Sequence, residues 1–194
     1  MRRLSLLLLL PALLLLSACS SKSDFYRLHP SQIQRSGSHP LYTRRVLGIG
    51  EVQVPDYLEK SAMVTFQSKE QVKIHEEQRW AGSLDKNIQS VLTQNLSVLL
   101  PHTTVLAYPW NEPLRDRYRL YLSIDHFDGD ANGTVTLAGH WSLVNQESDE
   151  VATGESFRYT ERGTPDTPGI VATQSRLLER LSRRIASKLK RYFK

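Results

Sequence analysis

The sequence contains a single cysteine, Cys19, among its 194 residues. A chain with one cysteine cannot close an internal disulfide, so we expect the hydrophobic core to stabilise the fold. An odd thiol is a liability in a secreted protein. Consumption of Cys19 as a thioether would remove that liability and would also leave no cysteine to act as a nucleophile.

Long apolar runs are also scarce, because the chain has one clear example, from Leu4 to Leu16, which follows Arg2 and Arg3. As a helix, this run would span about 20 Å, whereas the hydrocarbon core of a bilayer is about 30 Å thick. A basic start followed by a short apolar segment is typical of a secretory signal rather than a transmembrane helix.

The apolar run ends in Leu16-Ser17-Ala18-Cys19, which resembles the bacterial lipobox. We therefore expect a signal peptide over residues 1–18, a covalent lipid on Cys19 and a short acylated tether over residues 19–23. The competing interpretation is an ordinary signal peptide followed by a chance cysteine. Ser20, where an Asp would favour retention in the inner membrane, predicts an outer-membrane anchor facing the periplasm.

The chain shows no strong charge imbalance once the signal is removed. Residues 19–194 carry 23 Lys and Arg against 20 Asp and Glu, and the basic excess is concentrated near the C-terminus. We expect no nucleic-acid partner. The basic C-terminal segment is interpreted as a solvated helix face, with lipid headgroups or a protein partner as the alternative.

Hydrophobic periodicity predicts one α/β domain over residues 24–194. We expect a mixed, largely antiparallel sheet of about five to seven strands and two long amphipathic helices. The helices are expected to run from a Ser83 cap to Leu100 and from Ile170 to Phe193. Longer strands are predicted at 24–28, 45–54, 62–68, 71–75, 118–127, 134–145 and 151–162. A phase shift near Gly50 predicts a bulge.

Sequence motifs give little support for catalysis. Residues 128–133 open like a calcium loop, but position twelve is Gly139 rather than Glu, so a hairpin turn is favoured. His126 and His140 could face each other across that hairpin, yet a metal site needs three or four converging ligands. We expect no metal, no other cofactor and no enzyme activity.

Aromatic residues make up 8% of the chain, and those at element ends are the best binding candidates. Trp80 precedes the first helix, and Trp110 follows Tyr108-Pro109. Aromatic side chains in such places serve either as core residues or as interface anchors. We take Tyr57, Trp80, Tyr108 and Trp110 as candidate partner contacts, whereas Trp141, in mid-strand, is expected in the core.

Several segments, taken in order, resemble the PqiC/YmbA family of auxiliary lipoproteins. The lipobox is followed by these segments: Phe25-Tyr26-Arg27-Leu28, residues 47–58, Arg79-Trp80-Ala81, Leu84, Asn95-Leu96, Tyr108-Pro109-Trp110, Phe127-Asp128-Gly129 and Trp141-Ser142-Leu143. The resemblance covers nearly all of the chain after the signal and depends on order and spacing rather than on one decisive motif.

The resemblance implies a docking role at the outer membrane. Its partners would be an MCE-domain tunnel protein, which crosses the periplasm, and that protein's inner-membrane partner. It also implies a mixed-sheet α/β fold, no catalytic residues and ring-like self-association. Two alternatives stay open: a lipoprotein that itself binds a lipid in an apolar cavity, and an envelope hydrolase with clustered acidic or histidine groups.

Overall fold

The structure is a computed structural model, and it describes residues 22–31, 45–110 and 118–193. Eight strands and two α-helices are present in these ranges. In chain order they are β1 (Asp24–Tyr26), β2 (Val46–Gln53), a 3₁₀ turn (Asp56–Leu58), β3 (Ala62–Phe66), β4 (Val72–Trp80), α1 (Leu84–Leu99), β5 (Thr104–Ala107), β6 (Tyr118–Asp130), β7 (Thr134–Asn145), β8 (Glu150–Arg162) and α2 (Thr167–Leu189).

The strands form one mixed sheet organised around β6. One edge of β6 pairs antiparallel with β7, which pairs with β8. The other edge is shared: β2 pairs with its first half and β3 with its end, both in parallel. β5 lies beyond β2, while β4 and then β1 lie beyond β3. The expected fold class is confirmed, and the short β5 raises the number of strands from the seven predicted to eight.

Both helices cover the same face of the sheet. They contact each other, and the buried Asn95 amide donates to Ser182 Oγ at 3.1 Å. Each helix is also tied to the strands beneath it: Gln89 Nε2 donates to the Gly50 carbonyl and Gln174 Nε2 to the Phe127 carbonyl, both at 2.8 Å. The main core lies between these helices and the sheet.

The predicted bulge in β2 is confirmed, because the register of β2 against β6 shifts between Ile49 and Val52. A second shift, in β6 between Ile124 and His126, was not expected. Unbroken alternation along β6 would put His126 on the same side as Leu122 and Ile124, but the shift puts it on the other side. Phe127 takes the buried position instead and is 0% exposed.

The strands predicted at 62–68 and 71–75 are present and pair as a hairpin, but β4 continues to Trp80 instead of ending at residue 75. A register irregularity between Ala62 and Met63 explains the error, since Ala62 pairs with Arg79 whereas Met63 pairs with His75. The extra β4 residues interrupt the alternation that marks a strand. The extension lets β1 pair with residues 78–80 of β4 in parallel.

Candidate functional site

A buried carboxylate lies on the sheet face away from the helices. The Tyr57 hydroxyl donates to Asp128 Oδ2 at 2.6 Å, and His126 Nδ1 lies 3.5 Å from the same oxygen. The Phe66 ring contacts the rings of both Tyr57 and His126. We call Tyr57, Phe66, His126 and Asp128 the Tyr57 cluster.

The electrostatics of the Tyr57 cluster favour a structural role. Burial raises the pKa of Asp128, partly offset by the Tyr57 hydrogen bond and by His126. Burial, with the hydrogen bond to Asp128, also raises the pKa of Tyr57 far above its usual range. A tyrosine that holds its proton so firmly is a poor base or nucleophile. The contact instead fixes the 3₁₀ turn to the end of β6.

Tyr108 and Trp110 form a second aromatic site, at the end of the edge strand β5. Their rings meet edge to face at 5.3 Å, across a cis Tyr108–Pro109 bond. The Arg119 guanidinium lies 4.5 Å from the centre of the Trp110 ring, and Trp110 Nε1 donates to the Leu106 carbonyl. Tyr108 is 40% exposed. We call Tyr108, Trp110 and Arg119 the aromatic ledge.

The four candidate aromatic residues therefore do not form one surface. Tyr108 and Trp110 lie together, whereas Tyr57 is partly buried and uses its hydroxyl on Asp128. Trp80 is 6% exposed and belongs to the core. Its burial follows from its place on β4 opposite Tyr26 of β1, where both side chains face the helices. The Trp80 ring is thus not available to a partner in this conformation.

The basic C-terminal helix is largely neutralised by neighbouring acids. Arg176 pairs with Glu161 at 2.6 Å, while Arg184 and Lys188 both approach Glu155 on β8, at 2.9 and 3.6 Å. Arg180 lies over the Tyr159 ring. This face therefore presents ion pairs more than free cations, as expected of a solvated helix surface.

The acidic turn after β6 uses its carboxylate internally. Asp130 Oδ1 accepts hydrogen bonds from the backbone N–H groups of Asn132 and Thr134, and Gly133 has φ +78°. This is a hairpin turn closed by an aspartate side chain. His140 lies opposite Ser123 and His126 opposite Ala138, so the two histidines are not cross-strand partners. Within residues 22–31, 45–110 and 118–193, no group of three potential metal ligands converges.

An acyl chain would need an apolar cavity, and the cleft beside β2 does not resemble one. It measures about 600 Å³, and its lining mixes apolar residues with five charged ones: Glu51, Glu59, Asp85, Lys86 and Asp125. Charged groups in the lining disfavour hydrocarbon. In the part of the chain that the structure describes, no helix has the length and apolar character needed to span a bilayer. Cys19 and its tether up to residue 21 lie outside the described residues.

The geometry defines a mixed α/β domain with two helices on one sheet face and an exposed aromatic ledge. Comparison with known proteins identifies the family. Residues 26–186 match the model of the ABC-type transport auxiliary lipoprotein component. The chain belongs to this family, the one that also contains PqiC.

Individual relatives agree with that assignment. The chain is 30% identical over 140 residues to the intermembrane transport lipoprotein PqiC of Escherichia coli K12, covering 70% of this chain and 72% of that protein. The Shigella flexneri protein of the same name matches equally. A crystal structure of an uncharacterized protein, 25% identical, superposes with a TM-score of 0.72 over 87% of this chain and 99% of that one. Protein XCC0632 of Xanthomonas campestris shares the fold, with a TM-score of 0.69 at 11% identity over 84% of this chain and 93% of that one.

Proposed function

We propose that this protein is an outer-membrane-anchored docking component of an MCE-type intermembrane lipid transport system. The family relationship over residues 26–186, with a relative named as an intermembrane transport lipoprotein, is the observation that carries the proposal. One end of the domain would be fixed to the outer membrane by lipid on Cys19. Another surface would receive the periplasmic end of the tunnel protein.

The aromatic ledge is the best candidate for the receiving surface. Tyr, Trp and Arg are the residue types most enriched among the energetically dominant contacts of protein interfaces. Here all three lie within ring-contact distance. The hydrogen bond from Trp110 Nε1 to Leu106 and the bond from the Tyr108 amide to Ile49 hold the site on the sheet. Such fixed side chains lose little conformational entropy when a partner binds.

Lipid handling, in this proposal, is passive. The domain would position the tunnel and would perform no covalent chemistry, which agrees with the structural role of the Tyr57 cluster. A carrier function, with lipid held inside the domain, is less favoured, because five charged residues line the cleft of about 600 Å³. The cargo would pass through the partner's tunnel to the outer membrane.

Affinity purification of the full-length lipoprotein from mild detergent extracts tests the proposal. We expect an MCE-domain protein to be recovered with the wild type, and recovery to fall about tenfold or more when Tyr108 and Trp110 are both replaced by Ala. Tyr121→Ala is the matched control, because Tyr121 is 42% exposed on β6, which is separated from β5 by β2, and should not affect recovery. Failure of the wild type to recover any MCE-domain protein would refute the docking function.

Equal recovery of the MCE-domain protein with the double variant and the wild type would show that the aromatic ledge is not the docking surface. Equal losses with the double variant and with Tyr121→Ala would show a general effect of surface truncation, and would also count against the ledge.

A further inference from the structure

Three large apolar side chains are exposed along one edge of the sheet. Phe25 on β1 is 65% exposed, and Val72 and Ile74 on β4 are 42% and 40% exposed. We call these three residues the edge patch. Because large apolar side chains are normally buried, a group of them on one edge indicates a contact surface.

The strand register places the three side chains on one face. Phe25 lies beside Arg79, which is opposite Ala62, while Ile74 is opposite Val64 and Val72 is opposite Phe66. Paired residues project to the same side of a sheet, and Ala62, Val64 and Phe66 alternate along β3. Met63, between them, points into the core under the helices. The edge patch therefore lies on the face away from the helices.

The same register makes the patch compact. Successive rows of the patch are two β3 residues apart, which is about 7 Å. Because β4 has extra residues between His75 and Arg79, Phe25 lies only one such row from Ile74 along the strand direction. The whole patch is thus roughly 14 Å long. Ala62 and Val64, on the adjacent strand β3, are apolar and buried, so the patch borders buried apolar side chains.

The patch lies where the chain from Cys19 arrives. β1 is parallel to β4, with Asp24 beside Gln78, so the chain before Asp24 starts toward the lower-numbered end of β4, where Ile74 and Val72 lie. Cys19 precedes Asp24 by five residues, a maximum reach of about 17 Å. A lipid on Cys19 would therefore be within reach of every row of the patch.

Charges around the patch are mixed. Lys22 and Lys73 are exposed, and so are Asp24 and Glu76. A balanced rim offers no particular attraction to anionic headgroups. Contact with a bilayer would depend on the apolar side chains themselves, which gain free energy at the boundary between headgroups and acyl chains. Anchoring nearby makes that contact an intramolecular event with a high effective concentration.

We propose that Phe25, Val72 and Ile74 rest on the phospholipid surface that holds the Cys19 lipid and so fix the orientation of the domain on its membrane. The inference rests on the proposed acylation of Cys19. It also separates the two working surfaces. On the side of the edge patch, Val72 pairs with Phe66, which pairs with Asp130 of β6. On the side of the aromatic ledge, Ala107, which precedes Tyr108, pairs with Ile49, which pairs with Leu120 of β6. These positions on β6 are roughly 30 Å apart, so the edge patch and the aromatic ledge lie near opposite ends of β6.

Site-directed spin labelling of the full-length, acylated protein tests the inference. When Cys19 is a thioether, the protein has no other thiol, so Ile74→Cys carries the label alone. The protein is placed in vesicles of phosphatidylethanolamine and phosphatidylglycerol, and the label's collisions with oxygen and with a water-soluble nickel chelate are measured. Val151→Cys is the matched control, since Val151 is an apolar strand residue, 66% exposed, on the opposite edge strand β8.

At position 74 we expect collisions with the chelate to be several-fold rarer than at position 151, and the ratio of oxygen to chelate collisions to rise. If the intact mass shows acylated Cys19 but the chelate reaches both positions equally, the edge patch does not contact the membrane. That result would refute this inference and leave the lipid anchor intact. Protection from both reagents with spin–spin broadening would also overturn the inference, by showing a second copy on the patch. Absence of lipid from Cys19 would refute the proposed anchor and this inference with it.

Discussion

Replacing Tyr57 by Phe removes one hydroxyl and leaves the ring in place. The lost bond is 2.6 Å long and reaches a carboxylate on a residue only 7% exposed. Hydrogen bonds to charged groups contribute about 1.5–3 kcal/mol. Because a domain of this size loses about 2–4 °C of Tm per kcal/mol, we expect Tyr57→Phe to lower the Tm by roughly 3–12 °C at pH 7.5.

The effect of this substitution should depend on pH. Burial raises the pKa of Asp128 in the folded state, so the folded chain holds this proton more tightly than the unfolded chain does. The group's contribution to stability therefore falls as the pH rises from the ordinary carboxyl range through the raised pKa. Tyr57→Phe removes an interaction that favours the ionised form, so its cost should be largest above this window and should shrink below it.

Urea denaturation at several pH values measures this cost on a variant that starts at Ser20. Tyr121→Phe is the control and should change the free energy of unfolding by less than about 0.5 kcal/mol. In a Tyr57→Phe/Asp128→Asn double variant, the two effects should be non-additive, since the partners are in direct contact. A Tyr57→Phe cost no larger than that of the control, or one that grows as the pH falls, would refute the role given to the Tyr57 cluster.

Three further substitutions have expected outcomes that thermal or urea denaturation can check. Asn95→Leu removes the donor to Ser182 Oγ between the helices and the acceptor of the Ser31 backbone N–H, and it should destabilise the fold by about 1–3 kcal/mol; a neutral result would show that the fold does not need these two bonds. Gly139→Ala places a Cβ within overlap distance of the Ser123 carbonyl oxygen and should be among the most damaging single changes. We expect loss of folded protein; wild-type stability would contradict this. Trp80→Ala should cost about 3–5 kcal/mol, as truncation of a core aromatic does, whereas Trp110→Ala should cost clearly less; equal costs would contradict the placement of the two rings.

Local patterns predicted the long elements, because their periodicity reflects a single buried face. The strands 118–127, 134–145 and 151–162 and both helices appear close to their expected ranges. The parallel pairings were not readable, since β1–β4 and β2–β5 join segments that are distant in sequence. The side on which His126 lies could not be derived from alternation, because one bulge inverts the faces of every later residue in a strand.

The candidate sites differ in how far the sequence could predict them. The lipid anchor is a local chemical signal, so Cys19 was identified directly, although it lies outside the described residues and stays a prediction. The hydrogen bond from Tyr57 to Asp128 joins residues 71 positions apart, so no local sequence pattern could predict it. Trp80 lies in the core, at the end of the part of β4 that extends beyond the predicted strand and pairs with β1. Tyr108 and Trp110 lie together because they are only two residues apart, and their role as partner contacts stays a prediction.

Replacing Cys19 by Ser, with membrane fractions then separated on a density gradient, tests the central claim of an outer-membrane lipid anchor most directly. The wild type should lie in the outer-membrane fraction with an intact mass that includes acyl chains. Cys19→Ser should keep the fold, by circular dichroism, but lose both the added mass and the outer-membrane location. A Cys19→Ser protein that still fractionates with the outer membrane, or a wild type without acyl chains, would contradict the account.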